Sequence, residues 1–141
     1  MNHSRRWAAV IVLSALVLLA AAPLNAPVAQ AAMRGDEDAV RALLMEGADV
    51  NAAQGDGMTA LHWAAQRGDN GIAGMLVYAG ANLEATTRIG AYTPLHVASK
   101  AGSAEVVQLL LTYGSNPDIT TVTTGSSSLH LAATAGNPDV V

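Results

Sequence analysis

Three histidines, His62, His96 and His130, recur at one fixed interval along the chain. Imidazoles in series suggest two chemistries, ligation of a metal ion and general acid-base catalysis. The carboxylates of Asp36-Glu37-Asp38 offer a second acid-base candidate, and Gly55-Asp56-Gly57 resembles a fragment of a phosphate-cradling loop. Each reading must be set against the element that holds the residues. The acidic run lies directly ahead of an amphipathic stretch, Ala39 to Gly47, where negative charge opposes the positive end of a helix dipole. No nucleophile accompanies it. The Gly-Asp-Gly triplet has no strand pattern before it and no Lys after it, so a tight turn is the better reading.

The histidines belong to a motif that occurs three times. It reads Thr59-Ala60-Leu61-His62-Trp63-Ala64-Ala65, then Thr93-Pro94-Leu95-His96-Val97-Ala98-Ser99, then Ser127-Ser128-Leu129-His130-Leu131-Ala132-Ala133. Each copy is followed by a Gly (Gly68, Gly102, Gly136), and in the first two copies by an apolar run that closes at Gly80 or Gly114. Every unit therefore reads as helix, tight turn, helix, loop, and a fixed period of this length signals a solenoid. Helices of such a stack lie ~8–10 Å apart, which spaces one imidazole per unit too widely for two of them to share an ion. A structural use of the histidines is favoured, and neither a metal site nor a cofactor is expected.

These residues resemble the ankyrin repeat, whose signature is T-P-L-H-x-A at a period of 33. The resemblance is to an exported protein of bacterial type, and it extends from about residue 27 to the end. It implies an all-α solenoid of paired antiparallel helices with projecting β-hairpin fingers. The units are an opening repeat over 27–56, complete repeats over 57–90 and 91–124, and a truncated one over 125–141. Thr59 to Gly80 and Thr93 to Gly114 are both 21 positions. The closing Gly to the next Thr or Ser is 12 positions for Gly47 but 13 for Gly80 and Gly114, which places the extra residue in the finger.

Within the units, Pro27 and Pro94 suit first helical positions and Gly47 suits a left-handed cap, whereas Gly71 and Gly74 weaken a helix by ~1 kcal/mol each. The Thr-rich finger from Thr120 to Thr124 favours extended structure. Asn137 and Pro138 have the form of an N-cap and first helical residue, so a further helix is expected to begin there and fray.

What the resemblance implies about function is a non-catalytic scaffold that binds another protein. In the family the Thr and His of the motif brace the turn and the adjacent repeat, a role that falls here on Thr59, His62, Thr93 and His96, with Pro94 opening its helix. Ser127 replaces Thr beside His130 and keeps the hydroxyl. Binding is expected from positions the repeat grammar leaves free. These are Gln54, Asp56, Met58, Gln66 and Arg67 in the second unit, Arg88, Ile89, Tyr92, Lys100 and Ala101 in the third, and Val122, Ser126 and Thr134 in the fourth. Trp63 joins them as an amphipathic ring placed toward the inner face, with mere coverage of the neighbouring repeat as the alternative. Two other roles stay open, the N-terminal arm of a larger enzyme and a membrane-tethered spacer.

Composition narrows the field. The chain has no Cys, which excludes disulfides and thiolate chemistry. Its formal charge is −4. Without Arg5 and Arg6, five cations face eleven carboxylates, so nothing steers the chain toward nucleic acid. Those two arginines precede a charge-free run from Trp7 to Ala22. As a helix this run would reach ~24 Å, short of the ~30 Å hydrocarbon core. Residues 1–22 thus read as a secretory signal, with an uncleaved membrane anchor over 7–22 as the alternative. Cleavage is expected near Ala20 to Ala22 rather than after Ala31, since the later cut would destroy a helix starting at Pro27. The expected location is outside the cytoplasm, periplasmic or secreted.

Overall fold

A computed structural model describes residues 25–141. The signal or anchor reading of residues 1–22 lies outside the described residues. Among the described residues seven α-helices follow in order: α1 (Pro27–Arg34), α2 (Glu37–Met45), α3 (Ala60–Arg67), α4 (Asn70–Tyr78), α5 (Pro94–Ala101), α6 (Ala104–Thr112) and α7 (Ser128–Ala135). The first helices α1, α3 and α5 each pack against their own second helix and against the first helix of the next unit, giving a continuous row α1, α3, α5, α7. A parallel row of second helices, α2, α4 and α6, lies behind it.

The helix ends follow from local chemistry. At the start of α3, α5 and α7 the hydroxyls of Thr59, Thr93 and Ser127 accept the backbone N–H of the histidine three residues on. Such caps are worth ~1 kcal/mol each. The same helices close on a glycine in the left-handed region, as at Gly68 with φ 67°, a conformation that side chains with a Cβ resist. Asp36 and Asp69 cap α2 and α4 through their carboxylates. Glu37 and Asp38 fill the first turn of α2, and both bind Arg41, at 2.8 and 3.1 Å. The acidic run is thus a helix start with its own counter-ion, as the charge argument anticipates.

The core sits between the two rows and is thin. Leu61, Ile72, Leu76, Leu95, Val106 and Leu110 are fully or almost fully buried, surrounded by alanines that let the helices approach closely. Each large side chain contributes ~1.5–3 kcal/mol by leaving water. The opening helix belongs to this core, since Val28, Ala29, Ala31 and Ala32 have no exposed surface. A cut after Ala31 would remove three of these four buried residues.

Three local expectations need correction. The fingers contain no strand among the described residues. Each is instead closed by a backbone bond, Gln54 N to Met58 O, Thr87 N to Tyr92 O, and Thr121 N to Ser126 O, at 2.9–3.0 Å. The stretch from Thr120 to Thr124 is accordingly not extended but turned, because its hydroxyls bond to one another (Thr121 with Thr124, 2.8 Å) and override β-propensity. Asn137 and Pro138 begin no helix. The Asn137 amide donates to Ser99 O and Lys100 O at 3.2 Å, which ties it to the preceding unit instead of capping its own segment.

Candidate functional site

The histidines are braces. At His62 and His96 the ring Nδ1 accepts the backbone N–H of Thr59 or Thr93, at 3.2 and 3.0 Å. An acceptor Nδ1 carries no proton, so the neutral ring holds its proton on Nε2 and donates it to a carbonyl further along the chain. His62 donates to Tyr92 O and His96 to Ile119 O, both at 2.8 Å. Both nitrogens of each ring are therefore occupied by the fold. Burial pushes both imidazoles below the ordinary 6.5, and the carbonyl bonds only partly oppose it. His130 repeats the local bond to Ser127 (Oγ to Nδ1, 2.7 Å) but is exposed. No three His, Asp or Glu side chains converge among the described residues.

The fingers stack in register. Arg88 N donates to Asp56 O at 2.9 Å, and Val122 N donates to Gly90 O at 3.1 Å. Gly57 makes the first approach possible, with φ 85° and a hypothetical Cβ only 2.8 Å from Arg88 N. The residue added to the later fingers lies in the tip itself. The closing bond spans residues 55–57 in the first finger but 88–91 and 122–125 in the next two. The longer second tip turns through Gly90 and Ala91, both at positive φ, and it leaves Ile89 82% exposed.

Between the second and third units, where the fingers meet the first helices, there is an open cavity of about 440 Å³. Met58, Tyr92 and Thr87 come from the fingers, Gln66 from α3, and Val97, Lys100 and Ala101 from α5. Tyr92 is held on four sides. Its carbonyl accepts from His62, its N–H donates to Thr87 Oγ1 at 3.1 Å, its ring meets His96 edge-on at 6.2 Å, and Lys100 Nζ lies 5.8 Å from its centroid.

The sequence-derived binding set therefore divides. Met58, Gln66, Tyr92, Lys100 and Ala101 come together in the cavity. Arg88, Ile89 and Val122 project from the finger tips, exposed. The remainder do not have free side chains, contrary to expectation, because each satisfies a polar group of the fold. Gln54 Oε1 accepts the Trp63 indole N–H at 2.8 Å, and Trp63 also packs against the core. Arg67 donates to Met33 O of the opening unit, Asp56 accepts the Met58 N–H, Ser126 Oγ accepts from Thr124, and Thr134 Oγ1 donates to His130 O. Sequence reasoning passed over Val97 and Thr87. Val97 was within reach of it, since Val97 stands one full repeat beyond Trp63 and so shares its place in the motif. Thr87 carries no comparable signal, because its role depends on a finger geometry the motif does not encode.

Two models described as ankyrin repeats (many copies) match the chain, one over residues 28–78 and the other over 76–132. No curated protein matches it. Ankyrin repeats are generally protein–protein interaction modules and typically non-catalytic. With the Thr-x-x-His braces, the paired helices and matches that together run from residue 28 to residue 132, the chain belongs to the ankyrin repeat family.

Proposed function

We propose that this chain is an exported, non-catalytic scaffold that grips another protein with its finger tips and the row of first helices. The observation that carries the reading is the cavity between the second and third units. It is concave, it combines apolar walls with a few polar groups, and its aromatic wall is fixed by the same bonds that hold the stack. Sites of this kind favour binding because little side-chain freedom is lost on association. Export is supported by Arg5-Arg6 followed by the charge-free run.

Site-specific photo-crosslinking in cells tests the binding face. A photoreactive residue at Ile89 or Ala101 is expected to capture a protein, whereas one at Met45 or Gln108, on the second helices, is not. Capture from the second-helix positions alone, or from none of the four, would overturn the reading. Export is tested separately by fusing, after Ala52, a reporter enzyme active only outside the cytoplasm. Activity is expected, and a silent fusion that is nonetheless produced would contradict export.

A further inference from the structure

We propose that the cavity between the second and third units receives a partner segment that carries an apolar side chain beside a carboxylate. The inference deepens the protein-binding reading above and rests on it. Its starting point is a local reversal of charge. Described residues include eleven Asp and Glu against five Lys and Arg, yet no carboxylate lines the cavity, and Lys100 does. Lys100 has no ion-pair partner among the described residues, where the only pairs are those of Arg41 with Glu37 and Asp38. Asp56, at the neighbouring finger tip, turns its carboxylate to the Met58 N–H. Arg88 directly follows the lining residue Thr87 and is not paired with an acid among the described residues, whereas Arg67 is turned away to Met33 O of the opening unit. The cavity is thus a basic spot on an acidic molecule, and such a spot selects and steers an acidic partner.

The walls supply the second half of the recognition. Met58, Val97, Ala101 and the Tyr92 ring present apolar surface, and about 440 Å³ accommodates one large side chain with its flanking backbone. Lys100 lies within cation–π range of the Tyr92 ring. That contact places the ammonium of this exposed lysine at the edge of the apolar surface. An apolar residue seated on Tyr92 and Val97 would bring the carboxylate of the next or previous residue to Lys100, with the Gln66 amide available to the segment's backbone. A partner with Lys or Arg in that place would meet like charge.

The test is selection from a random dodecapeptide display library on the immobilised protein and on two variants, Lys100→Met and Lys100→Glu, each checked for native helicity by circular dichroism. The wild type is expected to enrich Asp or Glu next to a large apolar residue. Lys100→Met should lose the acidic preference and keep the apolar one, and Lys100→Glu should shift it toward Lys or Arg. For a peptide selected on the wild type, changing its Glu to Gln should weaken binding by about fivefold or more at low salt. An absence of acidic enrichment, or an acidic preference that persists in Lys100→Met, would overturn the proposal. So would a library that yields no binder, and in that case photo-adducts from Ile89 and Ala101 would leave the broader protein-binding reading standing.

Discussion

The histidines of the second and third units make different contacts, although the same motif holds both. At the first junction His62 donates to the carbonyl of Tyr92, the residue just before the next helix cap. His96 donates instead to the carbonyl of Ile119, in the loop that ends its own unit. The first bond therefore fixes an aromatic side chain over a cavity, and the second only fixes a loop. Downstream the difference grows, since Leu95 is 2% exposed while Leu129, its counterpart in the motif, is 55% exposed. The motif encodes the local cap. Its energetic weight is set by what the next unit places against it.

The comparison can be broken most forcefully at the motif leucines. Leu95→Ala is expected to cost ~2–5 kcal/mol, whereas Leu129→Ala, on a largely exposed side chain, should stay near ~0.5 kcal/mol. Urea unfolding of the two variants measures both, and equal losses would show that the fourth unit is as well packed as the third.

Acidification sharpens the comparison at the histidines. Burial depresses His62 and His96 below the unfolded 6.5, so as the pH falls the unfolded chain takes up protons first. Their contribution to stability is complete above about pH 6.5 and is lost as the pH drops from there through the folded values. Stability measured between pH 7.5 and 5 should decline, and His96→Gln should flatten part of that decline. A pH-independent stability in this range would contradict the assignment of both rings as neutral donors.

Two smaller effects concern the second-helix side of the stack. Ser115 is buried with an unpartnered hydroxyl, in a place where the earlier units carry Ala48 and Ala81. Ser115→Ala is expected to stabilise by ~1 kcal/mol. Gly74 lies inside α4, and a Cβ there would meet only the Leu109 Cδ1 at an ordinary 3.8 Å. Gly74→Ala should likewise raise stability by about 1 kcal/mol, read as a shift in the urea midpoint. A destabilised Gly74→Ala would mean that α4 and α6 are closer than this spacing.

The repeats and the Thr-His braces were legible in the sequence because they rest on local contacts, each closed within one helical turn, that recur with every unit. The Gly caps were legible for the same reason. What the sequence did not reveal depends on bonds between units. Arg67 reaches Met33 of the opening unit and Asn137 reaches Ser99, so residues that the motif leaves variable are nonetheless engaged. The Thr-rich finger misled in the opposite sense, since β-propensity speaks for extended backbone while neighbouring hydroxyls close it into a turn. Five of the seven residues that line the cavity emerged from asking which motif positions are free. Val97 could have been added from the motif place it shares with Trp63, and Thr87 emerged only once the finger of one unit was placed over the helix of the next.

Amide hydrogen exchange followed by mass spectrometry tests most directly the claim that the cavity is pre-organised by the junction that holds it. Residues 87–100, which carry Tyr92, His96 and Lys100, should exchange slowly and together with 104–112, while residues 127–141 exchange faster by at least tenfold. Protection of 127–141 equal to that of 87–100, or rapid exchange across 87–100, would contradict it.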